Sequence, residues 1–382
     1  MTKINLDNIR KDIDSIDSKL AQLFKERMEK SLEVARYKKE NNLAVLNDRR
    51  EKEILHKVSE EVGEPFDGYA RLVFNTIFDV SRSCQNNYLA RKSDLAERIQ
   101  QALEETPKIF PKKAVVACQG VAGSHSQAAC EKLFEVPSIM YFNSFEGVFN
   151  AVEKGLCQYG ILPIENSSYG SVGTVYDLMQ NYNFHIVKSL RLRISHNLMA
   201  KPGTKMSDIK EIFSHEQAIG QCGEFLKTLK DVKITVCENT ALAAKMVAES
   251  DRTDVAAISS KECLDLYNLE LIKKHIQVSD NNYTRFICIS KDIEVYPGAN
   301  RISLMLTLPH RPGSLYRMMA RFAALGLNLT KLESRPIEGL DFEFMFYFDI
   351  EADVCAAPVL GLLGDLDRAP ETFNFLGAYS EL

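Results

Sequence analysis

Nowhere in this chain of 382 residues do about 18 apolar residues run together, and its start, Met1-Thr2-Lys3-Ile4-Asn5-Leu6-Asp7, has no apolar core. Neither a membrane span nor a secretory leader is expected. No two of the nine cysteines are spaced C-x-x-C, and their odd number, scattered from Cys84 to Cys355, suggests neither a disulfide framework nor a zinc site. A reducing, cytoplasmic setting fits, with thiols such as Cys118 and Cys288 acting as small buried hydrophobes. No G-x-G-x-x-G follows a strand-like run, which argues against a dinucleotide-binding dehydrogenase. Strong charge is lacking too: a net charge of −5 argues against non-specific nucleic-acid binding but leaves the sign of charge inside any one pocket open. What is present is globular, with 45% hydrophobic and 26% charged residues, and the length points to two or three domains.

From Asn5 to about Glu40 there is no Gly or Pro, and Leu6, Ile9, Ile13, Ile16, Leu20 and Leu23 step by threes and fours, which predicts one long helix. The same stripe then reaches Arg27, Val34 and Lys38, so two cations stand where apolar side chains are due. Eleven residues at 100° each leave Arg27 and Lys38 about 20° apart around the axis, close enough to lean toward one anion. The plain alternative is that both snorkel outward or pair with Glu26 or Glu33. A second helix is expected from Asn47 or Asp48, through Arg50-Glu51, to Gly63-Glu64-Pro65, and a third from about Phe66 past Leu89, with Ser81 and Gln85 on one face. A helix of about 36 residues is roughly 54 Å long, too long for one small domain to cover, so an intertwined dimer is expected.

Residues 5–90 resemble the all-helical chorismate mutases. The resemblance places Arg10, Arg27, Lys38, Asn47, Arg50, Glu51, Ser81 and Gln85 where that family binds substrate, with Arg10 reaching the partner's pocket. Asn47 departs from the aspartate of bacterial relatives. The rearrangement is unimolecular, so the resemblance implies arginines clamping two carboxylates, with Lys38 and Gln85 as catalytic donors to the ether oxygen.

Residues 93–112 are polar and end in Pro107 and Pro111, marking a linker or an extension of the third helix. Beyond them, strand-like runs begin at Ala114, Gly160, Lys233, Asp254 and Arg285 and alternate with helical runs such as 216–229 and 241–248. Two α/β lobes around a cleft are expected over 113–292. Polar groups follow the strand ends, each by itself more often a cap or a turn. Together, Pro163-Ile164-Glu165-Asn166-Ser167, the Ser214-His215 helix with Gln221-Cys222, and Asn282-Tyr283-Thr284-Arg285-Phe286 resemble the prephenate dehydratases, whose fold is like that of periplasmic binding proteins. That resemblance assigns catalysis to Thr284, helped by Glu165. It assigns substrate binding to Gly123, Ser124, Asn166, Ser168, Gln221, Cys222, Arg285 and Phe286. Val121 and His125 depart from the family's glycine loop.

Over 299–382 the expected order is βαββαβ, a ferredoxin-like α+β module. Gly313-Ser314-Leu315-Tyr316 and Glu333-Ser334-Arg335-Pro336 resemble the phenylalanine-binding ACT domain, implying Gly313, Ser314, Leu315, Asn328, Glu333 and Ser334 as effector contacts. With residues 1–92 as the mutase domain, the chain as a whole resembles bifunctional chorismate mutase/prephenate dehydratases. The implied molecule is a homodimer or higher homo-oligomer that takes chorismate and prephenate, responds to L-phenylalanine, and needs no cofactor, metal, nucleic acid or membrane. Arogenate as the substrate, or a non-catalytic two-lobed metabolite sensor with a helical dimerisation arm, remains open at this stage.

Overall fold

With no glycine or proline to interrupt it, α1 (Leu6–Glu40) runs for 35 residues in the computed structural model of the protein. The structure describes residues 5–41, 43, 45, 47–89, 93–279, 281–340, 343–369 and 371–382. Asn5 caps α1, its side-chain oxygen accepting from the Asp7 amide at 3.0 Å. Asn47 does the same for α2 (Asp48–Val62), accepting from the Arg50 amide at 3.1 Å, and Gly63 ends that helix at φ 67°. Then come α3 (Asp67–Leu89) and α4 (Asp94–Glu105), the latter a separate helix.

Two compact units make up the chain: Met1–Glu97 with Pro309–Gly326 and Ala357–Pro370, and Arg98–Leu308 with Leu327–Ala356 and Glu371–Leu382. In the first unit α1 and α2 both pack on α3, as does the helix Ala357–Asp367. Ser83 donates to Asp365 at 2.7 Å, and Arg321 and Arg368 pair with the same carboxylate at 3.3 and 3.0 Å.

The second unit holds two sheets. Its strands are β1 (Lys113–Gln119), β2 (Val136–Phe142), β3 (Tyr159–Asn166), β4 (Gly170–Ser171), β5 (His185–Arg193), β6 (Asn197–Ala200), β7 (Glu211–Ser214) and β8 (Lys233–Val236). There follow β9 (Val255–Ser259), β10 (Glu270–Lys273), β11 (Tyr283–Ser290), β12 (Arg301–Thr307), β13 (Asn328–Pro336), β14 (Phe344–Glu351) and β15 (Phe373–Glu381). The first lobe is ordered β5-β11-β3-β1-β2 and the second β10-β6-β9-β7-β8. Every residue of β9 is buried, as the run Val-Ala-Ala-Ile-Ser requires of a central strand covered on both faces. The chain crosses between the lobes twice, after β5 and after β10, and these crossovers are joined by the Ile194 amide donating to the Asn282 carbonyl at 2.8 Å.

The C-terminal strands are antiparallel in the order β13-β14-β12-β15, with a helix following β12 and another following β14 in sequence. This is the expected βαββαβ connectivity. β15 continues the first-lobe sheet by pairing in parallel with β5. Gly377, at φ 141°, permits the approach: a Cβ there would lie 2.2 Å from the Ile186 carbonyl oxygen.

Candidate active sites

In the helical unit, α1, α2 and α3 line an open cavity of about 270 Å³. It is lined by Arg27, Lys38, Asn47, Arg50, Glu51, Ser81 and Gln85 from the sequence-predicted set, and by Lys30, Ser31, Phe78 and Arg82 among others. Arg10 is not there. It lies near the start of α1, exposed, 3.9 Å from Asp7. The apolar positions around it, Leu6 to Leu23, are 42–60% exposed in the single chain.

The cavity is held in place by hydrogen bonds between helices. Arg27 donates to Ser81 at 2.5 Å and lies over the Phe78 ring at 5.6 Å. Lys38 donates to the Gln85 side-chain oxygen at 3.3 Å, and the Gln85 amide nitrogen donates to Ser31 at 2.9 Å. Among the described residues the second Gln85 N–H has no hydrogen-bond partner. Burial lowers the Lys38 ammonium from its ordinary pKa, with Glu51 opposing the shift. Arg82, which sequence reasoning missed, bridges Glu51 and Asp79. Among the described lining residues five are cationic and one, Glu51, is acidic. A chain of net charge −5 thus keeps a locally positive cavity.

The second site lies between the lobes, where β3 ends and β11 begins. Strand pairing puts Thr284 opposite Asn166, whose amide nitrogen donates to the Thr284 hydroxyl oxygen at 3.0 Å and to the Asn282 side-chain oxygen at 2.9 Å. The Asn166 side-chain oxygen accepts the amides of Ser168 and Tyr169 at 2.9 and 3.1 Å. Gln221, from the second lobe, meets Asn282 at 2.8 Å, and His196 contacts Gln221 at 2.6 Å. Asn282 was visible within its motif without a role, and nothing in the sequence marked His196.

Several predicted contacts fall elsewhere. Along β11 successive side chains alternate, so Arg285 points away from Thr284. It is buried, paired with Asp349 at 2.5 Å and Glu381 at 2.9 Å, and donates to Tyr379 at 2.9 Å. Glu165, its cross-strand partner, faces the same way and pairs with Lys331 at 3.1 Å. Neither the catalytic role given to Glu165 nor the substrate contact given to Arg285 fits these positions. Phe286 is core, packed with Val116, Cys118 and Ala129. Cys222 is buried among Leu198, Ile212 and Phe225, and burial pushes its thiol up to about 12. The Gly123 amide is taken by the Gln127 side chain at 2.8 Å and the Ser124 amide by the Val121 carbonyl at 3.1 Å, so neither is free for a carboxylate. Ser168 is exposed.

The predicted effector residues divide as well. Gly313, at φ 81°, precedes the helix Ser314–Ala324, in which Ser314 is buried and Leu315 half-buried. In the second unit Asn328 donates to Glu351 at 2.7 Å, and Glu333 accepts from Ser171 at 2.6 Å. Alternation along β13 turns Ser334 to the opposite face from Glu333. These two side chains do not share one pocket wall.

Comparison with known proteins follows the same division. The family model for chorismate mutase type II matches residues 9–86, and that for prephenate dehydratase matches 116–294. The bifunctional chorismate mutase/prephenate dehydratase of Escherichia coli (strain K12) is 31% identical over 379 residues, covering 97% of this chain and 95% of that protein. Arogenate dehydratase/prephenate dehydratase 2, chloroplastic, of Arabidopsis thaliana is 36% identical over 276 residues, covering 69% of this chain and 72% of its own. Among solved structures, the prephenate dehydratase from Arthrobacter aurescens in complex with L-Phe aligns at a TM-score of 0.64 and 26% identity, covering 70% of this chain and 89% of that one.

Proposed function

The chain belongs to the family of bifunctional chorismate mutase/prephenate dehydratases, and from this premise we infer which of its residues perform the two reactions and how they are controlled. It converts chorismate to prephenate and prephenate to phenylpyruvate, two steps of phenylalanine biosynthesis. The observation that carries the first assignment is the cationic cavity. Arg27 and Arg50 clamp the two carboxylates of chorismate and hold its reactive conformer, which removes part of the entropic barrier. Lys38 and the free Gln85 N–H donate to the ether oxygen as it gains negative charge. No nucleophile or proton transfer is needed.

For the second reaction, aromatisation drives loss of carbon dioxide while the ring hydroxyl departs with its bonding electrons. Asn166 donates to the Thr284 oxygen, which leaves the Thr284 proton to be offered to that leaving group. Gln221 and Asn282 complete the polar wall. We assign residues 1–92 to the mutase, 113–292 to the dehydratase and 299–382 to a regulatory ACT module, with 93–112 between them. L-phenylalanine, which the Arthrobacter aurescens protein holds in its crystal, is the feedback effector, and its differential affinity for a less active state lowers the dehydratase rate. The exposed apolar stripe of α1 supports a homodimer in which Arg10 enters the partner's cavity.

The test is an assay with chorismate alone that follows both products, with and without phenylalanine. Thr284→Ala is expected to abolish phenylpyruvate formation while prephenate accumulates at the wild-type rate. Phenylpyruvate formation by that variant would remove Thr284 from the mechanism. The plant relative's name includes arogenate dehydratase, so arogenate offered in parallel reports the substrate preference.

A further inference from the structure

We propose that His196 is a positioning residue for the dehydratase: it closes one end of a hydrogen-bonded amide chain, His196–Gln221–Asn282–Asn166–Thr284, that spans both crossovers between the lobes. The proposal rests on Thr284 as the hydroxyl that meets the substrate. The polarity of the chain can be worked out from its other end. Two backbone amides, those of Ser168 and Tyr169, fix the Asn166 side-chain oxygen, so the Asn166 nitrogen must face both Asn282 and Thr284. Asn282 therefore turns its oxygen to Asn166 and its nitrogen to Gln221. The Gln221 oxygen is then the acceptor, and the Gln221 nitrogen returns a longer bond of 3.4 Å to the Asn282 oxygen. The imidazole nitrogen 2.6 Å from that Gln221 oxygen must carry a hydrogen. His196 is thus the Nε2–H tautomer.

Nothing nearby offers the other tautomer an advantage. Nδ1 of His196 is buried and has no hydrogen-bond partner among the described residues. The ring lies edge-on to His125 with centroids 6.4 Å apart, and burial lowers its pKa, keeping the imidazole neutral with one N–H. The backbone is pinned as well: the His196 amide donates to the Gln277 side chain at 3.0 Å and its carbonyl accepts from Ile276 at 3.0 Å. His196 sits on the outgoing crossover, Asn282 at the end of the returning one, Gln221 in the second lobe, and Asn166 and Thr284 in the first. The chain is complete when the lobes stand as they do here. Removing the His196 donor frees Gln221 to reverse; a reversed Gln221–Asn282 pair would set the Asn282 nitrogen against that of Asn166 and loosen the contact that orients Thr284.

Three variants of the full-length protein test this. His196→Met keeps the volume without a donor, His196→Gln keeps an amide N–H at the reach of Nε2, and Thr284→Ala tests the reading beneath. With prephenate, His196→Met is expected to lose about tenfold or more in kcat with KM changed about twofold or less, because the hydroxyl acts as the leaving group departs. His196→Gln should recover most of that loss, which a merely space-filling role would not predict. The ¹⁵N spectrum of the wild-type imidazoles, which needs no variant to fold, should show His196 protonated at Nε2 only. A His196→Met kcat within about twofold of wild type, equal losses in the Met and Gln variants, or a proton on Nδ1 would overturn the proposal. An inactive Thr284→Ala beside an active His196→Met would sink this inference alone, whereas an active Thr284→Ala would sink the Thr284 reading and this inference with it.

Discussion

Lys38 and Arg285 show what one side chain's surroundings decide. Lys38 is half-buried and hydrogen-bonded to Gln85, so its ammonium is already aimed when substrate arrives and little reorganisation remains for the transition state. Lys38→Met should lower mutase kcat by about a hundredfold, roughly 3 kcal/mol, while added prephenate is still converted at the wild-type rate. An effect below about fivefold would mean that substrate binding alone carries the rearrangement. Arg285 stands beside Thr284 in sequence but is buried against Asp349 and Glu381. Arg285→Met would leave Asp349 without its cation, while Glu381 keeps Arg191 and Arg301, a cost of about 3–5 kcal/mol seen as a lower melting temperature, with KM for prephenate changed about twofold or less at low temperature. A large rise in KM without loss of stability would restore Arg285 to the substrate site. The sequence reading of Arg285 as a substrate contact takes adjacency in a motif as adjacency in space, whereas strand alternation sets neighbours on opposite faces. The predicted residues that line the helical cavity are legible for the converse reason. Spacings of three, four and eleven keep Arg27, Lys38, Ser81 and Gln85 on definite helix faces, whatever the tertiary detail. His196 left no sequence signal, since its role depends on Gln221 arriving from a different element.

Elements whose cause is local were the readable ones. The span of α1 follows from its lack of breakers and the Asn5 cap, and α2 begins at the Asn47 cap and stops at Gly63. β2 and β5 were not visible. β2 carries Pro137 and lies at an edge, where all of its residues stay partly or fully exposed. β5 reads His-Ile-Val-Lys-Ser-Leu-Arg-Leu-Arg, and partners distant in sequence satisfy its polar groups: Lys188 donates to Ser380 at 2.6 Å, and Arg191 pairs with Glu381 at 3.0 Å. The helix expected over 216–229 is in fact two, Glu216–Gln221 and Gly223–Lys227, meeting at buried Cys222. The seam between β5 and β15 gives the prediction at this scale. A Cβ on Gly377 would meet the Ile186 backbone, which no side-chain rotation can relieve. Gly377→Ala should therefore push β15 off β5 and cost about 2 kcal/mol or more, several degrees in melting temperature. A melt within about one degree of wild type would show that the seam can shift freely.

For the whole molecule, the unsatisfied feature is α1. Six aliphatic side chains along its first half, Leu6, Ile9, Ile13, Ile16, Leu20 and Leu23, are exposed in the single chain, while the cavity farther along the same helix lacks any contribution from Arg10. At 1.5 Å per residue this helix is about 50 Å long, so a second α1 packed against it can carry its first turns to the other cavity. The proposed dimer has a consequence that a monomer cannot reproduce. Arg10→Ala and Arg27→Ala should each depress mutase activity as homodimers, the first because both cavities lose the partner's arginine, the second because both lose their own. In a mixed dimer, the cavity of the Arg10→Ala chain keeps its own Arg27 and receives Arg10 from the partner, whereas the other cavity lacks both. Random exchange makes about half the dimers mixed with one good cavity each, so mutase activity should recover to about a quarter of wild type on mixing. Dehydratase activity should be unaffected, since neither residue belongs to the unit that holds that cleft. A mixture no more active than the mean of its components, under conditions where mass spectrometry shows the subunits exchanging, would place Arg10 outside the active site. Ile16→Asp, which sets a charge in the middle of the stripe, should then be examined for dissociation in sedimentation. A variant that becomes monomeric and keeps full mutase activity would leave the helical unit self-sufficient, and the apolar stripe would need another explanation.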